Sequence, residues 1–342
     1  MTVENRILGR TGVSVSPLCL GAMMFGPWGN GDENDSIRII HRGLDAGINF
    51  IDTADVYSAG ESERIVGHAL KGRRDDVVLA TKFFMPMGEA PNLRGGSRKW
   101  IMRAVENSLR RLETDYIDLY QVHRPSQDTD VEETLGALTD LVRQGKVRYI
   151  GSSSYAASQI VEAQWVAKDR RLQRFVTEQP PYSILVRGIE ADVLPTAQRH
   201  GMGTLTYSPL AGGWLSGRWR KDAASSPASA ARPWARFDMT SAANHAKLEV
   251  VEELALLAEE AGLTLIELAL AFVINHPAVT SAIIGPRTME QLESQLPAAD
   301  SVLSQDVLDR IDEIAAPGVT LNPDDNSYGE AELTPAARRR RG

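Results

Sequence analysis

The stretch NFIDTADVYSAGESE (residues 49–63), read with VVLATKF (77–83) and IDLYQVHR (117–124), decides the fold. Each contains a short apolar run of the kind that forms a buried parallel strand. Each also delivers ionisable groups where that run ends: Asp52 and Tyr57, then Lys82, then His123. Functional side chains drawn from the ends of several strands point to the carboxyl face of a parallel barrel.

Working outward, eight strand-like segments follow in order: PLCLG (17–21), NFIDT (49–53), VVLAT (77–81), IDLYQV (117–122), VRYIGS (147–152), FVTEQ (175–179), GTLTYS (203–208) and SAIIG (281–285). Helical patterns lie between them. SIRIIHRGLDAG ends at Gly47, ESERIVGHALKG at Gly72, EETLGALTDLVRQG at Gly145 and EADVLPTAQRHG at Gly201. A glycine just past a helix supplies its left-handed cap. Alternating strands and helices imply right-handed crossovers and a parallel sheet, and eight such units close as an α/β (β/α)8 TIM barrel. RILGRTGVSVSP (6–17) alternates around a Thr-Gly turn and predicts an N-terminal β-hairpin under the barrel floor. Two long loops, 83–98 and 218–239, belong to the carboxyl face, where loops gate or select ligands.

The 342 residues fit one barrel domain over 1–316, followed by a polar tail at 317–342 that is expected to be partly disordered. A net charge of -8 argues against a nucleic-acid binder. Cys19 is the single cysteine, which suits a reducing cytoplasm. The start MTVENRILGR lacks a signal-type apolar segment, and no run reaches the ~20 apolar residues of a membrane span. No metal-ligand cluster of His and Cys appears, and no GxGxxG follows a strand, so a Rossmann cradle is unsupported.

The four ionisable residues form a coherent chemical set. A phenol has an ordinary pKa near ~10, and a neighbouring ammonium favours its ionised form, so the Tyr57 pKa is expected to be lowered. Asp52 would keep Lys82 charged, and the His123 imidazole would hydrogen-bond a substrate oxygen. Together with GINFIDTADVYSAGESERIVG (47–67), LATK (79–82) and LYQVH (119–123), they resemble the aldo-keto reductase superfamily. Within it, the bacterial and potassium-channel-beta-like branch is the most similar. The resemblance runs from ILGRTGVSVSPLCLG (7–21) to IIGPRTMEQL (283–292). It implies that Tyr57 is the general acid, supported by Asp52 and Lys82, with His123 orienting the carbonyl.

The same resemblance implies a cofactor site for NADP, with NADPH preferred over NADH. Ser153, Ser154 and Gln179 would hold the nicotinamide carboxamide, Ser154 standing where the family usually has Asn. Tyr207 would stack on the nicotinamide ring, and Ser208, Leu210, Gly212, Ser216 and Gly217 would wrap the pyrophosphate. Gly285, Arg287, Thr288, Gln291 and Gln295 would meet the adenosine phosphate, with Arg287 suited to a 2′-phosphate. Met24, Phe25 and Trp28, with Phe83 and Phe84, are expected to wall a pocket for an aromatic, alicyclic or sugar-like carbonyl compound; Trp214 and Trp234 are further candidates. The implied activity is NADPH-dependent reduction of an aldehyde or ketone. Two alternatives stand beside it: a cofactor-binding regulatory subunit with little turnover, and a Schiff-base aldolase using Lys82.

Overall fold

The computed structural model describes residues 4–221 and 235–326. Eight parallel strands close into a barrel: β3 (Leu18–Gly21), β4 (Phe50–Asp52), β5 (Val78–Phe83), β6 (Ile117–Val122), β7 (Val147–Ser153), β8 (Thr177–Gln179), β9 (Gly203–Thr206) and β10 (Ser281–Ile284), with β10 pairing back onto β3. Every expected strand segment overlaps one of them; β5 and β7 run on past their expected ends to Phe83 and Ser153. Outside lie α1 (Glu33–Asp45), α2 (Glu61–Ala69), α3 (Arg98–Arg111), α4 (Val131–Arg143), α5 (Ala157–Asp169), α6 (Val193–Arg199), α7 (Ala242–Glu260), α8 (Leu265–Ile274), α9 (Met289–Gln295) and α10 (Gln305–Ile314). Gly47, Gly72, Gly145 and Gly201 follow α1, α2, α4 and α6 with φ of 97°, 78°, 75° and 62°, the cap conformation their positions predicted.

The expected hairpin is β1 (Arg6–Ile7) and β2 (Ser14–Val15), paired antiparallel. Its Leu8 and Val15 are buried with Cys19, Phe50, Ala80, Leu119, Leu205 and Ile283, so the hairpin plugs the barrel interior from below. The larger core lies between strands and helices and takes the alternate residues, among them Ile51, Leu79, Tyr120 and Val122.

This alternation positions the site. Phe50, Ala80 and Leu119 form the inner apolar layer. Two residues further along the same strands stand Asp52, Lys82 and Gln121, one layer higher and facing the same interior. Gly151 on β7 has a packing reason: a Cβ there would stand 2.2 Å from Thr177 Oγ1 on β8. The segment expected as a tail begins in contact with the barrel. Arg187 N donates to Val319 O at 3.0 Å and Leu321 N to Leu185 O at 3.1 Å. Residues 327–342 lie outside the described residues.

Leu8→Ala is expected to destabilise the protein by about 2–5 kcal/mol, because it opens a cavity under a layer that cannot collapse freely. Denaturant unfolding checks this, and a loss under ~1 kcal/mol would mean the hairpin is not part of the core.

Candidate active site

The carboxyl ends of β4, β5 and β6 bring the four expected residues together. Lys82 is 1% exposed. Its Nζ donates to Asp52 Oδ1, to the Thr53 carbonyl at 2.9 Å and to Tyr57 Oη at 3.5 Å. The Tyr57 and His123 rings meet edge to face, 5.7 Å between centroids at 83°. Trp28 leans on the outer side of Tyr57 at 6.1 Å. Asp52 Oδ2 accepts from Gln121 Nε2 at 3.0 Å and Gln179 Nε2 at 2.9 Å. Gln179, expected at the cofactor carboxamide, is therefore also a support for Asp52. Gln121 was not anticipated, although its position two residues beyond Leu119 on β6 put it in the same layer.

The electrostatics correct one expectation. Burial raises the Tyr57 phenol above its ordinary value, while Lys82 pulls the other way and does not win. Tyr57 is thus a protonated donor at neutral pH, as a general acid must be. For Lys82, burial works against the charge, but Asp52 and Tyr57 outweigh it and its pKa is raised. His123 is pushed well below its ordinary value by burial, then by Lys82 and Arg124. It is neutral, with one ring nitrogen able to donate and the other to accept. Its buried Nδ1 has no partner.

The loop after β7 stands across the mouth. Ser153 Oγ donates to the Gln179 carbonyl at 2.9 Å, and Ser154 N bonds the same oxygen at 3.1 Å. Ser154 Oγ lies 3.3 Å from Tyr207 Oη and accepts from Arg124 Nη1 at 2.8 Å. Glu178 anchors this loop from behind. Its carboxyl accepts from Ser152 Oγ at 2.5 Å and Tyr155 N at 3.0 Å, and burial pushes its pKa up to about 8. A second buried acid, Asp55, has both oxygens unpartnered and is raised to about 8 by burial and by Glu63. Neither residue stood out in the sequence.

After β9 the chain winds tightly, with Ser208, Ala211, Gly212 and Gly217 all at positive φ (57°, 49°, 68° and 78°). Leu210 and Ser216 lie within this loop, and Ser216 Oγ donates to the Gly213 carbonyl at 2.7 Å. Most of the long loop at 218–239, expected to gate or select ligands, lies outside the described residues. Beyond β10, Gly285 is exposed. Arg287 N donates to Gln291 Oε1 at 3.0 Å, and Thr288 Oγ1 accepts from Gln291 N at 3.3 Å as the cap of α9. Asn30 Nδ2 ties the Arg287 carbonyl to the loop after β3 at 3.0 Å. Arg287 is half-buried and Thr288 exposed, whereas Gln295 is buried.

The expected substrate wall divides. Trp28 is 53% exposed, and Met24 and Phe84 are half-buried at the mouth. Phe25 and Phe83 are instead fully buried in the outer core, and Phe83 packs on Tyr120 with centroids 4.9 Å apart. Strand alternation is the reason: Lys82 points into the barrel, so Phe83 points out. Trp214 is also withdrawn. It stacks on Trp219 at 3.9 Å, and its Nε1 donates to the Arg236 carbonyl at 3.1 Å. Trp234 lies outside the described residues. The buried Lys247, 4.3 Å from the Trp214 ring, pairs with Asp325 at 2.8 Å. Among the described residues there is no helix able to cross a membrane and no cluster of three or more potential metal ligands.

Comparison with known proteins agrees with this architecture. The Aldo/keto reductase family model matches residues 17–316. The chain is 42% identical over 323 residues to an uncharacterized oxidoreductase of Bacillus subtilis, YrpG, covering 91% of this chain and 96% of that one. It is 37% identical over 327 residues to a probable voltage-gated potassium channel subunit beta of Arabidopsis thaliana, with 91% and 96% covered. With the Bacillus subtilis aldo-keto reductase YhdN it shares 36% over 297 residues, covering 85% and 87%.

The His123 ring is expected to show no titration near pH 6.5 by NMR; a midpoint there would contradict its burial as neutral imidazole. The sign for stability follows. Between the folded-state value and about 6.5 the unfolded chain binds more protons at this site, so the His123 contribution falls as pH drops through that window. His123→Gln should therefore flatten the acid limb of a pH–stability curve.

Proposed function

The chain belongs to the aldo/keto reductase family of oxidoreductases, and from that premise we propose that it reduces an aldehyde or ketone to an alcohol with NADPH, Tyr57 giving the proton. The observation that carries this is the group of buried Lys82 and Asp52 with half-buried Tyr57 and His123, the phenol held protonated at the mouth. When bound, NADPH supplies hydride to the carbonyl carbon. Tyr57 Oη and the neutral His123 donate to the carbonyl oxygen, and Tyr57 yields its proton as charge develops there. The Lys82 ammonium stabilises the phenolate left behind, and Asp52 holds that ammonium in place.

The residues fit the cofactor. Ser153, Ser154 and Tyr207 gather at the mouth beside the catalytic residues. The loop of Ser208, Leu210, Gly212, Ser216 and Gly217 has the close-approach backbone that phosphate oxygens need. Arg287 is a half-buried guanidinium with no carboxylate partner among the described residues, suited to the 2′-phosphate. A regulatory role with little turnover is the second reading, favoured by the similarity to relatives named as channel beta subunits. The Schiff-base alternative loses support, because Lys82 is held as an ammonium by three acceptors and has no free lone pair.

Tyr57→Phe is expected to lower kcat for carbonyl reduction by about 10²–10⁴-fold while NADPH binding by fluorescence quenching stays near the parent value. Near-normal turnover in that variant would remove Tyr57 from the role; tight NADPH binding without turnover of any carbonyl in a broad panel would favour the regulatory reading. Arg287→Ala should weaken NADPH by roughly ten- to hundredfold and leave NADH affinity almost alone. Equal losses for both cofactors would make Arg287 structural.

A further inference from the structure

Arg124 has a position and a set of bonds that the proposed reaction does not use. It directly follows His123 beyond β6, and its guanidinium is fixed at the mouth by two neutral acceptors. Nη1 donates to the His123 carbonyl at 3.1 Å and to Ser154 Oγ at 2.8 Å. Among the described residues no carboxylate lies within ion-pair distance of it, and Nε and Nη2 donate to no acceptor. Acids outnumber Lys and Arg in this chain by 45 to 37, so the lack of a partner is not for want of carboxylates. Arg74, Arg111 and Arg187 are paired, with Asp118, with Glu63, and with Glu190 and Asp312, whereas the half-buried Arg6, Arg174 and Arg287 share with Arg124 the lack of a carboxylate among the described residues. The two neutral acceptors of Arg124 leave the Nε and Nη2 edge of the guanidinium without a charge-bearing partner until an anion arrives.

We infer that the free edge of Arg124 binds an anionic group on the substrate itself, so that the preferred substrates are aldehydes or ketones that also carry a carboxylate. The inference rests on the reductase reading and names its substrate class. Three features of the site carry it. The guanidinium bonds the main-chain carbonyl of His123 and the Ser154 hydroxyl, which itself lies 3.3 Å from Tyr207 Oη, so it stands beside the residues of the proposed reaction. The phosphate-binding candidates, the loop of residues 208–217 and Arg287, belong to other strand ends, after β9 and β10. The unused Nε and Nη2 form the fork that matches two carboxylate oxygens at once. The charge also reaches the reacting groups, lowering both the His123 and the Tyr57 pKa among their several influences. Trp28, beside Tyr57 and largely exposed, offers an apolar wall for the body of such a molecule.

The test compares para-carboxybenzaldehyde with its methyl ester, two carbonyls that differ in one charge. For the full chain with NADPH, kcat/KM should favour the anionic aldehyde by roughly ten- to hundredfold. Calorimetric binding of the two corresponding alcohols to the NADP⁺-loaded protein should show the same preference. In Arg124→Gln the anion-to-ester ratio should collapse towards one in both measurements, and Arg124→Lys should restore part of it. Equal use of both aldehydes and equal binding of both alcohols by the parent protein would overturn the inference, as would a ratio that survives in Arg124→Gln. A loss shared equally by both compounds, together with weaker NADPH binding, would assign the guanidinium to the nicotinamide and overturn it too. Absence of turnover with both aldehydes, while the alcohols still bind with the Arg124-dependent preference, would sink the reductase reading and leave the anion site supported.

Discussion

A charged lysine cannot sit dry inside a barrel unless something answers its charge, and the upper layer of this barrel is arranged to answer Lys82. Asp52 supplies the counter-charge, Thr53 a carbonyl and Tyr57 a phenol oxygen. Asp52 is then itself a buried anion, and Gln121 and Gln179 supply its remaining donors. Removing one partner of such a pair typically strands the other at a cost of about 3–5 kcal/mol. The groups that stabilise the ammonium are therefore the groups that make it useful. The Lys82 ammonium stands 3.5 Å from the Tyr57 hydroxyl, where it would favour the phenolate if that phenol gave up its proton. The apolar layer below, sealed by Leu8 and Val15, keeps water from reaching the pair from the amino side.

The loops above this layer hold themselves in conformations that ordinary residues avoid. Ser58 and Ala59 after β4, Phe84 after β5, Ser154 after β7, and Ser208 and Ala211 after β9 all have positive φ. Each costs on the order of 1–3 kcal/mol and persists only where its surroundings over-determine it. Here those surroundings are visible. The Gln179 carbonyl and Arg124 fix Ser154, while Glu178 clamps the residues on either side of the Ser153–Ser154 pair. The strain concentrates at the ends of the strands that carry the site, while the barrel body is regular.

Much of this was legible in the sequence for a physical reason: buried parallel strands are continuous apolar runs, and helix ends announce themselves with glycine. The eight segments, the hairpin and the residues from Asp52 to His123 followed from those signals. The failures share a cause as well. Phe25, Phe83 and Trp214 were read as pocket residues because they are large, apolar and near the site in the chain. Facing is set by the period of the strand and by tertiary packing, and proximity in sequence does not report it. Gln121, Glu178 and Asp55 were missed because a polar residue inside an apolar run looks like noise until its partners, brought from other strands, are known. The direction of the Tyr57 shift was misjudged for a related reason: the neighbouring charge can be read from sequence, but the depth of burial cannot.

The two buried acids change how the whole molecule behaves in an electric field. Asp55 and Glu178, each with a pKa raised to about 8, carry their protons at pH 7. The formal charge of -8 counts both as ionised, so the folded protein is close to two charges less negative than its composition suggests. Unfolding would hand those two protons to the solvent at neutral pH. The folded and unfolded chains would then differ in electrophoretic mobility through ionisation as well as through size.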